Sequence, residues 1–423
     1  MRLSLTRAFI ASILLLGLLS APGCKLESNQ EYVNESDESN QTPTTSTPIT
    51  GSSIDPQNFT ITENEEGVPV MTGTLSDGLT LNARLYCVKD LEKPGTASVD
   101  VAELRSFVPA DLDILLQDAW KITSDTIETF ERDGAELNYR TVLYQDAYNH
   151  DGSVANTNYG IQIGRDGLSA PTREPWFSEE FTWQTEDFTF MTETMAFNLL
   201  RDLAASSGVQ ISNVYQVDRV PANTLEAFYR VRLSYGESLP EMQWTKEDDA
   251  YSFALTQDWN GLPINTSGLA FTYDGTSLEG ESYRIMFGSV MSGMVTAEDI
   301  QNFQMYNIYE NVTTGEDQDL ISLWDALATF RNHIDNPQYE TETFYRLSTD
   351  PNRDLTIDQI ELCYVPIWQG EVGIAEQAPY DMIPCWTFRV VGYEENGSTQ
   401  IFTGVVNAIT GAYILQTNNM LSA

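Results

Sequence analysis

The segment DPNRDLTIDQIE, Asp350 to Glu361, collects oxygen ligands at regular intervals. Counting Asp350 as position 1, Asn352, Asp354, Thr356, Asp358 and Glu361 fall at positions 3, 5, 7, 9 and 12, the ligand spacing of a calcium-binding loop. Position 6 is Leu355, where the sharp turn requires glycine, and the flanks read as strands rather than helices. The favoured expectation is an acidic connection between strands, with Ile357, Ile360 and Leu362 feeding a sheet and no metal bound. Nucleophiles lack bases. No histidine follows Cys385, and the chain holds only two, His150 in the turn-like YNHDGS and His333 near a helix end; both are expected at the surface. GTSLEG (275–280) has the wrong spacing for a nucleophile elbow, and there is no H-E-x-x-H, no C-x-x-C and no glycine-rich phosphate loop. Glycoside hydrolysis needs only two carboxylates, but 62 acidic residues single out no pair. No catalytic residue and no cofactor is expected. Besides Cys24 the cysteines are Cys87, Cys363 and Cys385, an odd number that leaves at least one thiol unless chains pair. Cys363 and Cys385 lie on runs that can be neighbouring strands, so a disulfide between them is geometrically open.

The elements that would carry such residues begin with an address. Arg2 and Arg7 precede a short apolar run, Ala8 to Ser20, too short for a permanent span, which takes about 20 apolar residues. Ala21-Pro22-Gly23-Cys24 follows, the layout of a secretory signal peptide ending at a cysteine. It resembles a bacterial lipobox, with Ala21 where leucine is usual. The resemblance implies lipidation of Cys24, with palmitate-type chains, and an anchor on the extracytoplasmic face of the cell membrane. Residues 24–57 are dominated by Ser, Thr, Asn, Pro and acids, too polar to offset chain entropy by burial, and are expected to form a disordered tether.

The formal net charge is -40, from 22 Lys and Arg against 62 Asp and Glu. Nucleic acid is excluded as a partner, because neutralising phosphates takes clustered cations. Such a surface also repels anionic headgroups, so the lipid must supply the membrane contact.

Beyond the tether, helix-then-strands order occurs twice. DQDLISLWDALATFRNHIDNP (317–337) sets Leu320, Leu323, Trp324, Leu327 and Ile334 near one helical face, with Asp317 or Asp319 as cap. Strand-like runs follow at 343–348, 357–368, 382–393, 398–407 and 412–416, and Asn396-Gly397 marks a hairpin. Earlier, TETMAFNLLRDLAASSG (192–208) places Met195, Leu199, Leu200 and Leu203 on one side of a helix. Runs at 209–217, 225–236, 251–257, 268–275 and 281–289 read as strands, with Tyr229, Val231, Leu233 and Tyr235 on one face. Residues 99–120 read as one or two short helices broken at Pro109. The expected class is α+β, in tandem modules that each pack a helix on an antiparallel sheet: an N-terminal α+β region (58–185), a middle module (186–310) and a C-terminal module (311–423).

The ending Pro384-Cys385-Trp386-Thr387-Phe388 with Val406-Asn407-Ala408-Ile409-Thr410-Gly411 is similar to the endings of an uncharacterised lipoprotein family of clostridia. More distantly it resembles YycH/YycI-type accessory proteins of two-component kinases and PepSY-like modules. The resemblance implies a non-catalytic extracytoplasmic module of a Gram-positive cell and carries no catalytic residue. YycH/YycI-type proteins have an amino-terminal membrane helix that this chain lacks, which argues against kinase coupling. The function expected is therefore binding or regulation at the bacterial cell surface, not enzymatic, with a surface protein as partner. A small-molecule- or glycan-binding lipoprotein is the alternative, and a carboxylate-based glycoside hydrolase ranks third.

Overall fold

The computed structural model describes residues 53–64, 67–86, 90–132, 135–171, 181–277, 280–335, 354–369, 378–393 and 399–417. Cys24, Cys87, Asp350, Asn352 and the Asn396-Gly397 turn lie outside them. In chain order the strands are β1 (Thr60–Glu63), β2 (Pro69–Ser76), β3 (Leu79–Tyr86), β4 (Thr96–Ala97), β5 (Asp100–Leu104), β6 (Lys121–Arg132), β7 (Ala135–Gln145), β8 (Asp151–Thr157), β9 (Gly160–Arg165), β10 (Gln216–Val220), β11 (Ala250–Leu255), β12 (Asp258–Trp259), β13 (Leu262–Pro263), β14 (Leu269–Ser277), β15 (Gly280–Phe287), β16 (Val290–Val295), β17 (Ile300–Tyr306), β18 (Tyr309–Thr313), β19 (Gln318–Asp319), β20 (Leu355–Trp368), β21 (Tyr380–Tyr393), β22 (Thr399–Asn407) and β23 (Leu415–Thr417). The α-helices are α1 (Glu193–Ser206), α2 (Ala222–Ser234) and α3 (Leu323–Asp335).

These strands build two large sheets. One has 11 strands, running β1-β2-β3-β20-β14-β15-β23, with β21 on β20 and with β22, β5 and β18 beyond it. It is mixed: β20 lies parallel to both β3 and β14, and β15 parallel to β23. The other has eight strands in the order β10-β11-β16-β17-β9-β8-β7-β6, antiparallel throughout.

This overturns the expected α+β class. The protein is mostly β, with a few helices laid on patches of two extended sheets, and it is not a series of helix-on-sheet modules. The tandem order fails because strand pairing ignores chain order. The region 58–185 feeds β1–β3 to the larger sheet and β6–β9 to the smaller. The neighbouring hairpins β14–β15 and β16–β17 part in the same way, the first to the larger sheet and the second to the smaller.

Burial explains the central strands. In β20, Ile360, Leu362 and Tyr364 enter one core, while Cys363, Val365 and Ile367 enter another on the opposite face. A strand covered on both sides reads as a continuous apolar run rather than an alternation. Pro366 and Pro384 survive in central strands because each falls at a break between neighbours. Pro366 lies between the β3 and β14 ladders, and Pro384 between the β5 and β22 ladders. Such breaks tolerate a residue without an N–H. Trp386 and Phe388 supply core area. The indole of Trp386 donates to Ile321 O at 3.1 Å, and Phe388 stacks on Phe330 of α3 with centroids 4.7 Å apart. Gly404 makes room for that helix, since a Cβ there would lie 2.2 Å from the Phe330 ring.

Several local expectations are corrected. Helix α3 begins later than expected and is capped by Ser322, which exchanges bonds with Asp325, rather than by Asp317 or Asp319. On α1 the buried residues are Ala196, Phe197, Leu200 and Ala204, and Met195 and Leu199 are exposed. The stretch expected as a strand over 225–236 is instead helix α2. Leu225 and Tyr229 are buried one turn apart, and Leu233 and Tyr235 face solvent. Pro221 opens it and Gly236, at φ 88°, closes it. Within 99–120, strand β5 and a 3-10 turn at Pro109–Ile114 replace the expected helices. No helix among the described residues is long and apolar enough to cross a membrane.

Candidate functional site

The β6–β7 hairpin is the outer rim of the smaller sheet, and β6 is exposed along most of its length. The β7–β8 pairing runs only from Gln145↔Asp151 to Thr141↔Ala155, whereas β6–β7 pairing continues to Arg132↔Ala135. Asn156 sets the split: its Oδ1 accepts from Arg140 N, and its amide donates to Asn138 O and Phe107 O. Beyond that point the two strands, among the described residues, pair only with each other and run on as a two-stranded ribbon. Arg140 braces its base, bonding Asp125 through two nitrogens at 2.9 and 2.8 Å, Asp113 at 2.6 Å and Pro109 O at 3.2 Å. The first-named bond raises the Arg140 guanidinium pKa and lowers that of the Asp125 carboxyl. The ribbon shows Ile127 and Phe130 to solvent, at 59% and 45% exposure, and Phe130 leans on Tyr139 with centroids 5.2 Å apart. Among the described residues β6 pairs only with β7, so its outer edge carries unmatched peptide groups.

A second assembly lies at one end of the same sheet. Asp146 and His150 sit in the β7–β8 turn, and Glu298 in the β16–β17 turn. Asp146 Oδ1 accepts from the amides of Tyr148 and His150 at 2.9 and 2.8 Å, folding the turn around the carboxylate, and Asn149 takes the left-handed φ of 68°. Asp146 Oδ2 then faces His150 Nδ1 at 3.0 Å, and Glu298 Oε2 lies 3.4 Å from that same nitrogen. Arg165, at the end of β9 between the two turns, bonds Asp248 at 2.9 Å and approaches Glu298 Oε2 at 3.8 Å. Burial raises the Glu298 pKa, and the charges of His150 and Arg165 oppose that rise. His150 is thus half-buried in a polar cluster rather than a plain surface residue. The sequence signal was a carboxylate and an imidazole four residues apart across a turn; Glu298, far away in the chain, gave none.

The residues singled out from sequence separate. Of the calcium-loop spacing, Thr356, Asp358 and Glu361 lie along strand β20, and Asp350 and Asn352 fall outside the described residues. Thr356 Oγ1 touches Thr80 Oγ1 at 3.2 Å. Asp358 is held by Arg389 through two bonds at 2.8 and 2.7 Å. Asp354 precedes the strand. Glu361 is fully buried, and its Oε2 accepts from the amide and hydroxyl of Thr266 at 3.2 and 3.0 Å. Burial pushes its pKa up to about 7, against the lowering effect of those bonds. Cys363 and Cys385 stand directly opposite across the β20–β21 ladder, but the disulfide that the sequence left open is not formed. Both are buried thiols, and burial raises the Cys385 pKa, which suppresses the reactive thiolate. His333, expected at the surface, is buried on α3 with its ring stacked on Tyr413 at 3.7 Å, and burial lowers its pKa to about 3.

No family model matches the chain, and no curated protein does. Among solved structures the fold is similar to that of an uncharacterized protein from Eubacterium rectale, with a TM-score of 0.53 and 14% identity over 81% of this chain and 92% of that one. That likeness speaks to the fold alone.

Proposed function

We propose that this chain is a lipid-anchored, non-catalytic binding protein of the bacterial cell surface, and that the β6–β7 ribbon is the part it offers to a protein partner. The observation that carries this reading is the ribbon itself: a braced hairpin whose outer edge has no neighbouring strand among the described residues and whose Ile127 and Phe130 face solvent. An open edge accepts an extended segment by strand addition, with main-chain bonds supplying affinity and side-chain pockets supplying choice. Glu128, Glu131 and Glu136 on the ribbon favour a partner segment carrying Lys or Arg. Cys24 would hold the protein at the membrane, with the residues that precede Ile54, itself part of the larger core, as spacer.

The test places a photo-crosslinking amino acid at Thr129 in cells making the full chain. A discrete adduct that disappears in the Ile127→Asp, Phe130→Asp double variant is expected. Unchanged crosslinking in that variant, or no adduct from any position along β6, rejects the ribbon as the contact. The anchor is tested separately by palmitate labelling, which Cys24→Ser should abolish.

A further inference from the structure

Two carboxylate oxygens converge on one imidazole nitrogen at the end of the eight-stranded sheet. Asp146 Oδ2 lies 3.0 Å and Glu298 Oε2 3.4 Å from His150 Nδ1, and the three residues each offer a ligand atom within 4.8 Å of the others. A single N–H on Nδ1 satisfies one carboxylate and leaves the other. Glu298 Oε2 is in fact a buried oxygen without a hydrogen-bond partner. Zinc-class ions bind imidazole nitrogen and carboxylate oxygen at about 2.0–2.2 Å, which places neighbouring ligand atoms roughly 3.0–3.5 Å apart. The two separations from Nδ1 fall in that interval.

We propose that Asp146, His150 and Glu298 bind a divalent cation of the zinc class, one ligand atom from each, joining the β7–β8 and β16–β17 turns. The donor set selects the ion class. Calcium and magnesium favour all-oxygen sites, copper(I) favours sulfur, and a mixed imidazole–carboxylate set suits Zn²⁺ or Mn²⁺. The site is preorganised because Asp146 Oδ1 is occupied by the turn's own amides, leaving only Oδ2 to turn inward. The Glu298 turn is pinned by Thr296, whose Oγ1 accepts from Glu298 N and whose amide donates to Asp299 O. The Arg165 guanidinium opposes a cation, but Asp248 and Gln301 Oε1 both accept from its Nη1. Asp166 adjoins the same sheet end, its amide bonded to Asp151 O, and adds to the negative field. Three protein ligands leave coordination positions for solvent, the arrangement of an exchangeable rather than a closed structural site.

The chain's two histidines supply an internal control, because His333 is buried against Tyr413 at a distant place in the fold. The full chain, stripped with chelator, is titrated with ZnCl₂ and separately with MnCl₂ in physiological salt and excess Mg²⁺. Heat of binding and the ring-nitrogen resonances of ¹⁵N-histidine are followed together. The expected result is one tight equivalent that shifts His150 and leaves His333 unmoved, with affinity falling at least about tenfold in both His150→Ala and Glu298→Gln. Glu298→Gln keeps the side-chain shape and so reports on ligation even if His150→Ala perturbs the turn. Three results overturn the proposal: no binding in excess Mg²⁺, binding that leaves the His150 resonances in place, or binding unchanged in Glu298→Gln. Each would mean that the triad holds only a proton and that cations merely condense on an acidic surface.

Discussion

The two sheets hold polar groups in opposite ways. At the centre of the larger sheet, Glu361 is sealed beneath Thr266, faces Thr387 across the ladder, and has the Cys363–Cys385 pair two residues further along it. At the rim of the smaller sheet, Asp146, His150 and Glu298 sit in turns with partial access to water. Both places contain a carboxylate whose pKa burial raises. Only the rim brings several ligand-bearing side chains together where a solute can reach them. A shifted carboxylate inside a two-sided sheet is a packing feature, and convergence near solvent is what marks a site.

The largest expected effect tests whether the sheets are energetically equal. Phe388→Ala in the larger sheet and Phe303→Ala in the smaller each remove a fully buried ring, and each should cost about 3–5 kcal/mol in denaturant unfolding. A single shared transition in both variants would show that the sheets melt together, and two separated transitions would split them.

Glu361 sharpens the contrast through pH. Its folded pKa of about 7 lies above the ordinary 4.5, so the stability conferred by the neutral form is complete below about pH 4.5 and lost as pH rises through about 7. Relative to wild type, Glu361→Gln should therefore gain about 3 kcal/mol between about pH 4 and about pH 8. A flat difference across that range would mean the carboxyl ionises freely.

Asp100 comes next. Its buried carboxylate accepts from Ser98 and Gly315 N through Oδ1, and from Trp259 Nε1 and Asn260 through Oδ2. Asp100→Ala orphans those donors and should cost about 2–3 kcal/mol, measured by thermal unfolding. The smallest effect belongs to the ribbon. Ile127→Ser with Phe130→Ser should change stability by no more than about 0.5 kcal/mol, because both side chains already face water. A larger loss would make the ribbon part of the core instead of an offered surface.

Legibility in the sequence followed burial. The strand expected over 357–368 is the body of β20, and the run 382–393 lies within β21, because long apolar β-branched stretches allow little else. Two of the three described α-helices are legible, since α1 and α3 fall inside the spans read as helical. Helix α2 was misread because Tyr229, Val231, Leu233 and Tyr235 imitate a period of two, and only Leu225 with Tyr229 keeps the helical contact. Sheet membership was not legible at all. Leu79 and Leu355 pair side by side, and nothing local in either segment announces the other. The same distance hid the triad, whose third member lies in a different hairpin from the first two.

The chain passes from one sheet to the other and back before either is complete. Its first long strands wait for β20 and β21, which follow every strand of the smaller sheet in the chain, to close the larger sheet. Closing the larger sheet is therefore a slow step, because distant pairings carry a loop-closure cost before they return any contact. Shortened versions ending before residue 355 would lack the strand that both β3 and β14 lean on, so they belong to quality-control proteases rather than to the test tube.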